Sequence, residues 1–385
     1  AYGTSYSSFG EAPMHSSDDG SVMYRDYWYF NCGILTDFHK FMADIIREYM
    51  PDTPLHTKFQ WYVGSKESEF RNRWNLGTNH EELSDFLDYN GCDAAYYWRY
   101  CRNGWEEPLY QSIWFDYLRG VKNAPIVNSE AHIIQDGDQN FNPMQAYFSA
   151  NGIWQGAIHG NAISDIWVWA REQSDRSGFW GSVLFRPEVI AEIGKTSLDL
   201  NRLSYEVKAV ADEPSKIALL YSDYSRLYNE EWKYNTTKLY SAYETLLFGG
   251  LKPGIVTEKS IERIVTDGNI KVLALPGVHN ISKAALFTIR DFVVSGGKVI
   301  ILGTDGSVER DDQNAEFSGD ALAAANMIRE RAVVLDALND SASKNAFVAA
   351  AEDEVGRLVE VVYADSGSRV AETEYTYGFS ADGDL

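Results

Sequence analysis

The sequence predicts an α/β protein: the C-terminal half of a (β/α)8 TIM barrel followed by a flavodoxin- or glutaminase-like doubly wound α/β domain. Two observations predict it. Short apolar runs of strand length alternate with segments of helical periodicity, and the strands recur every ~30 to 40 residues, which is typical of parallel sheets. A closed barrel needs eight strand–helix units. Four such units precede residue 213, so we expect half a barrel there.

The first two predicted units follow a loop-like start rich in Ser, Gly and Asp. Apolar residues at helical spacing predict a helix over 22–49, which Pro51 and Pro54 end. The segment Leu55–Trp61 has the composition of a strand. A helix beginning near Asn79, with acidic residues in its first turn, precedes the predicted strand Cys92–Tyr100.

The third and fourth predicted units have the same order. A helix over Pro108–Val121 precedes the buried strand Ala124–Val127, and a helix over Asn142–Gln155 precedes the strand Ile163–Glu172. A long helix from Pro187 to about Val210 ends the region.

A second alternation begins after the polar joint at residues 212–215. We expect four strands there, Lys216–Ser222, Gly254–Glu258, Ile270–Gly277 and Lys298–Gly303, and helices at Glu231–Phe248, near Ile261 and at Ser282–Ser295. From Val333 come a helical piece and the strand-like LVEVVYAD and ETEYTYGF. The predicted domains are therefore 1–212, 213–335 and a β-rich region from 336 to 385.

Composition excludes several classes of protein. The net charge of -22 argues against binding to nucleic acid or to an anionic membrane surface, and no apolar run reaches the length of a membrane helix. The cysteines Cys32, Cys92 and Cys101 form neither a disulfide framework nor a zinc spacing. Nucleotide fingerprints are absent and no His/Asp/Glu cluster has the spacing of metal ligands, so we expect no cofactor and no metal site. Cytoplasmic localisation is favoured.

The candidate chemistry lies where the barrel strands end, because TIM barrels carry their functional residues there. Glu130 comes just after the strand Ala124–Val127 and is the candidate catalytic residue. A carboxylate among hydrogen-bonding groups and tryptophan rings suits cleavage of a sugar, as does the aromatic fraction of 14%. Seven residues at the predicted strand ends are candidate substrate contacts: Gln60, Trp98, Tyr100, Asn128, His132, Trp169 and Glu172.

Four segments carry a family resemblance. AYGTSYSSFGEAP, near the start, resembles the segment after the acid-bearing strand of the bacterial β-galactosidases of glycoside hydrolase family 42, and DFHKFMADIIREYMPDTPLHTKFQ is similar to their next helix and strand. VNSEAHII resembles their seventh strand and GNAISDIWVWARE their eighth. Residues from Lys216 to Gly303 resemble their trimerisation domain.

The resemblance implies a retaining β-glycosidase that acts on an oligosaccharide or glycoside and assembles as a homotrimer. Glu130 matches the nucleophile. The acid/base glutamate has no counterpart here, since Glu11 lies in a later loop, so we expect it upstream of Ala1. The chain looks cut at both ends.

Two other hypotheses stay open. A homologue that kept the barrel without the chemistry would be a carbohydrate-binding or scaffold protein. An amidotransferase-like enzyme with its site in the second domain would need a cysteine nucleophile, and no cysteine follows Cys101.

Overall fold

The computed structural model describes residues 5, 7–8, 11, 21–58, 78–96, 106–134, 144–169, 182–228, 233–303 and 307–355. Within these residues the chain forms two compact units. The first runs from Trp28 to Glu213, and the second combines the residues up to Tyr27 with those from Pro214 onward. The predicted division into three domains stays a prediction.

The first unit is built on a parallel sheet of three strands in the order β1-β2-β3. Its elements in chain order, counting all of the first helix, are α1 (Val22–Tyr49), α2 (His80–Ser84), β1 (Asn90–Cys92), α3 (Glu106–Val121), β2 (Ile126–His132), α4 (Met144–Ile158), β3 (Asn161–Trp167), a short 3-10 helix (Val183–Phe185), α5 (Pro187–Arg202) and α6 (Ser204–Asp212). Each strand is followed by a helix, as predicted.

Several predicted boundaries in this unit are wrong. Leu55–Lys58 is not a strand, although the Leu55 carbonyl accepts hydrogen bonds from Asp88 N and Tyr89 N and this segment lies beside β1. β1 ends at Cys92, where the predicted strand 92–100 begins. β2 continues past Val127 through Glu130 to His132. The predicted helix from Pro187 is two helices, which Leu203 separates.

Gly91 in β1 permits the close approach of this neighbouring segment. A Cβ atom on Gly91 would overlap the carbonyl oxygen of Thr57 and lie 2.9 Å from the His56 ring. Glycine has no Cβ, so the backbone that leads to Lys58 can lie directly against β1.

The helix α1 has the predicted bounds, but its apolar residues lie on two faces. Trp28 and Cys32 are buried on one of them. The other face is exposed over more than three turns, and its residues are Phe30, Ile34, Phe38, Phe41 and Ile45. Apolar stripes of this size on a helix normally pack against another element.

The core of the first unit centres on α3. Trp114 is fully buried, stacks on Tyr117 with the ring centroids 5.5 Å apart, and meets the His80 ring edge-on at 5.0 Å. Ile113 of α3 and Ile126 of β2 are both fully buried, and the two elements are in contact. Helix α3 thereby fixes the strand that carries Glu130.

The second unit is a parallel sheet of five strands in the order β5-β4-β6-β7-β8. Its elements after α6 are β4 (Ile217–Tyr221), α7 (Asp223–Tyr228), α8 (Lys233–Phe248), β5 (Pro253–Thr257), α9 (Arg263–Thr266), β6 (Val272–Pro276), α10 (Lys283–Val294), β7 (Lys298–Leu302), α11 (Gly319–Arg331), β8 (Val333–Leu335) and α12 (Ser341–Val355). Sequence analysis predicted β4 to β7 and missed α7, α11 and β8.

The core of this unit is continuous from strand to helix. Buried residues of β4, β6 and β7, among them Leu220, Leu273 and Val299, pack with Leu286 and Ile289 of α10. Helix α12 packs on the same sheet and on α8. The strand-like LVEVVYAD and ETEYTYGF lie outside the described residues.

The predicted class, α/β with parallel sheets, is confirmed. In the described part of the chain no helix combines the length and the apolar character that crossing a membrane requires.

Candidate functional site

Glu130 lies near the carboxyl end of β2, the central strand of the first sheet. Residues two apart in a strand point to the same side, so Glu130 and His132 are neighbours. The Glu130 side chain is 17% exposed. It is accessible to a ligand and still held by its surroundings.

Lys58 forms an ion pair with Oε2 of Glu130. This hydrogen bond is the main cause that raises the pKa of Lys58, and the carboxylate of Asp93 adds to it. Partial burial acts in the opposite direction. A raised lysine pKa means that the ammonium form persists across the physiological range, so Lys58 supplies a fixed positive charge next to Glu130.

His132 contacts the other oxygen of Glu130. Its Nε2 atom lies 3.2 Å from Glu130 Oε1 and 3.6 Å from Asp93 Oδ1. The His132 side chain is 6% exposed, and its ring centroid lies 6.0 Å from that of Trp167. Glu130 is therefore held from two sides, by an ammonium group and by an imidazole.

Asn128 is buried, and its side-chain amide bonds to the backbone of Ala94, two residues after β1. Its Oδ1 accepts from Ala94 N at 3.1 Å and its Nδ2 donates to Ala94 O at 2.8 Å. Further along, Tyr96 N donates to His132 O at 3.0 Å. These bonds fasten the segment that carries Asp93, and the predicted contact of Asn128 with substrate stays a prediction.

The two tryptophans at the end of β3 differ. Trp167 is partly buried beside His132, and Trp169 is 46% exposed. The carbonyl of Trp169 accepts hydrogen bonds from Ser182 Oγ and Leu184 N, which fixes the backbone at this point. Trp169 thus presents an accessible ring, as a sugar platform requires, and Trp167 lies nearer to the carboxylates.

The structure brings together Glu130 and His132 from the predicted set and adds Lys58 and Asp93. The predicted contacts Gln60, Trp98, Tyr100 and Glu172 lie outside the described residues. Asp93 was missed because the strand was predicted to begin at Cys92, where β1 in fact ends. With the correct boundary, Asp93 follows the strand directly, which is where a barrel places its functional groups.

Three of these groups also form a set that sequence spacing did not predict. Asp93, Glu130 and His132 each offer a ligand atom, and these atoms lie within 4.8 Å of one another. Asp93 follows β1, and Glu130 and His132 lie in β2, so no short sequence motif contains all three. Such a set can hold a cation, and here the ammonium of Lys58 already bonds to Glu130.

Comparisons with known proteins identify the fold. No family model and no curated protein matches this sequence. Among solved structures, the family 42 exo-carrageenase from Bacteroides ovatus is 22% identical with a TM-score of 0.73, over 91% of this chain and 48% of that one. The chain has the fold of the family 42 glycoside hydrolases. The resemblance seen in the sequence is thus confirmed at the level of the fold.

Two β-galactosidases extend the comparison. The family 42 enzyme from G. stearothermophilus is 16% identical with a TM-score of 0.62, over 83% of this chain and 47% of that one. The enzyme from Marinomonas ef1 is 16% identical with a TM-score of 0.63, over 83% and 50%. The chain therefore spans about half the length of the solved family 42 structures it matches.

Proposed function

We propose that this chain is part of a retaining β-glycoside hydrolase with a β-galactosidase-like activity, in which Glu130 is the nucleophile. The observation that carries the proposal is the position of Glu130. It is a partly exposed carboxylate at the carboxyl end of a parallel strand, and Lys58 and His132 contact its two oxygens. The family 42 fold supports the reaction class.

The proposed reaction has two steps. A carboxylate oxygen of Glu130 attacks the anomeric carbon, the bond to the leaving oxygen breaks, and that oxygen takes a proton from an acid/base glutamate. Water, deprotonated by the same glutamate, then attacks the anomeric carbon and releases Glu130 as a carboxylate. Lys58 and His132 contact the two oxygens of Glu130 and orient the attacking oxygen before the first step.

Asp93 is the nearest described carboxylate, and we do not assign it the acid/base role. Asp93 and Glu130 approach the same nitrogen of His132. They share one imidazole nitrogen on the same side of the site, whereas a retaining pair stands on both sides of the scissile bond. We assign the acid/base role to a glutamate upstream of Ala1, as the resemblance implies.

We also propose that the first unit is half of a (β/α)8 barrel. In the described sheet β3 pairs on one side only, and both of its faces are partly exposed. The exposed apolar face of α1, from Phe30 to Ile45, is also suited to packing against another element. Further strand–helix units would cover both surfaces, and the resembling second unit would assemble three copies. Light scattering on the full-length protein tests the trimer.

A mechanism-based label tests the nucleophile. We expect a 2-deoxy-2-fluoro glycoside of the correct configuration and with a reactive leaving group to form a stable adduct with the full-length protein, because fluorine slows both steps and the leaving group speeds only the first. Peptide mass mapping should place the adduct on Glu130. An adduct on Asp93 or on another carboxylate would overturn the assignment, and sugar binding without any adduct or turnover would favour the scaffold hypothesis.

We expect Trp169→Ala to weaken substrate binding by ~1–3 kcal/mol, because the exposed ring offers apolar surface to a sugar. Titration calorimetry with a non-hydrolysed substrate analogue measures the effect. Phe185→Ala, an exposed aromatic residue of the neighbouring 3-10 helix, is the matched control and should leave affinity unchanged. Equal affinities for Trp169→Ala and the unsubstituted protein would remove Trp169 from the site.

The amidotransferase alternative finds no nucleophile. The described cysteines Cys32 and Cys92 are buried in the first unit, and burial raises the pKa of the Cys92 thiol. A thiol held neutral in this way is unreactive. The strand ends β4 to β6 of the second unit carry serine, glutamate and asparagine instead.

A further inference from the structure

The carboxyl ends of β4, β5 and β6 in the second unit meet at a single carboxyl group that the proposed reaction does not use. Glu258 follows β5 and is partly buried. Its Oε1 lies 2.5 Å from Ser222 Oγ, which follows β4, and its Oε2 accepts from Ser282 N at 2.8 Å. Ser282 is the N-cap of α10. One side chain thus joins two strand ends and a helix start.

The loop after β6 joins the same cluster through its backbone. Asn280 O lies 2.9 Å from Ser222 Oγ and 2.7 Å from Ser225 Oγ, and Asn280 N donates to Ser225 Oγ at 3.0 Å. Ser225 N in turn donates to Ser222 Oγ at 3.1 Å. Ser222 and Ser225 are almost completely buried, so solvent does not replace these bonds.

The two protonation states of Glu258 give different hydrogen-bond patterns, because they differ in the number of hydrogens available to donate. Ser222 has one hydroxyl hydrogen and two acceptors, Glu258 Oε1 and Asn280 O. If Glu258 is ionised, Ser222 must donate to it and loses its own bond to Asn280 O, to which only Ser225 Oγ among these hydroxyls then donates. If Glu258 is protonated, it donates to Ser222, and Ser222 donates to Asn280. The neutral state therefore completes a chain of donors across β5, β4 and the loop after β6.

The electrostatic surroundings also favour the neutral state of Glu258. Desolvation is the main cause that raises the pKa of Glu258 to about 7, and the nearby carboxylate of Asp223 adds to it. The hydrogen bonds from Ser222 and Ser282 act in the opposite direction. Cations on adjacent elements are already paired: Arg226 with Asp223 at 2.8 Å and Lys283 with Asp311 at 3.2 Å. Two further titratable groups stand in the adjoining chain, Lys259 and His279.

We propose that Glu258 is a proton-dependent link: as a neutral acid it ties the ends of β4, β5 and β6 together, and loss of its proton weakens this edge of the sheet. The link is independent of the proposed glycosidase activity. Because the carboxyl group binds its proton more tightly in the folded state than in the unfolded chain, stability should fall as the pH rises from about 4.5 to about 7.

The test compares unfolding of the full-length protein with that of Glu258→Gln between pH 4.5 and 8. Glutamine donates through Nε2 to Ser222 and accepts through Oε1 from Ser282 without titrating. The ratio of the two unfolding constants should change by up to about 300-fold over this range, since each pKa unit contributes tenfold. Partial exposure of Glu258 makes this an upper limit. A change below tenfold overturns the proposal.

A control and a second readout complete the test. Glu262→Gln, an exposed glutamate four residues further on, should keep the pH dependence of the unsubstituted protein. If Glu258→Gln does not fold, the backbone amide proton of Ser282 in the unsubstituted protein reports the same event by NMR, since it donates to Glu258. Its titration midpoint should lie near 7, and a midpoint below 5.5 overturns the proposal.

Discussion

Replacing Glu130 by glutamine should reduce turnover by several orders of magnitude in the full-length protein. The amide of glutamine is a poor nucleophile, so no glycosyl–enzyme bond forms, while its size and shape keep the fold and sugar binding intact. Steady-state kinetics with an aryl β-glycoside measure the loss. The expected fall is in kcat, with little change in substrate affinity.

A matched substitution distinguishes loss of the nucleophile from a general loss of folded protein. Glu188→Gln at the exposed start of α5 changes the same functional group in the same unit, and it should retain full activity. Near-normal turnover in Glu130→Gln would show that the nucleophile lies elsewhere. Loss of sugar binding together with turnover would point to a structural role for Glu130.

The largest effect on stability should come from Trp114→Ala. Trp114 is fully buried in α3 and contacts the rings of Tyr117 and His80. Removing the indole leaves a cavity among these rings in the core of the first unit, and such truncations reduce the free energy of unfolding by ~3–5 kcal/mol. Since domains are stable by ~5–15 kcal/mol, this loss is a large fraction of the total.

Urea unfolding followed by circular dichroism measures this change. Leu198→Ala, which truncates a 74% exposed side chain in α5, is the control and should change the free energy of unfolding by less than about 0.5 kcal/mol. If the two variants unfold at the same urea concentration, α3 does not form the core of the first unit.

Sequence periodicity predicted the elements that are long or strongly apolar. The bounds of α1 and the four strands β4 to β7 follow from such patterns. Helix α11 was missed because alanines and charged residues fill it, so it has no distinct apolar face in the sequence. Helix α7 has six residues and β8 has three. Elements this short show no detectable hydrophobic periodicity.

The candidate site could be predicted only in part, because its groups meet through the order of the strands. Glu130 follows an apolar run and was therefore found. Lys58, Asp93 and His132 are 72, 37 and 2 positions away from it along the chain, and the parallel pairing of β1 with β2 brings Asp93 to the same edge. A single misplaced strand boundary was enough to hide Asp93.

The glycine at position 91 has a consequence for inherited variation in this protein. Any other residue there would push the Thr57 carbonyl outward, and Lys58 is the next residue along that backbone. A change in a strand interior would then uncouple the ammonium group from Glu130 without altering either residue. Under the proposed mechanism, selection would therefore act on Gly91 through the position of Lys58, although Gly91 has no side chain with which to react.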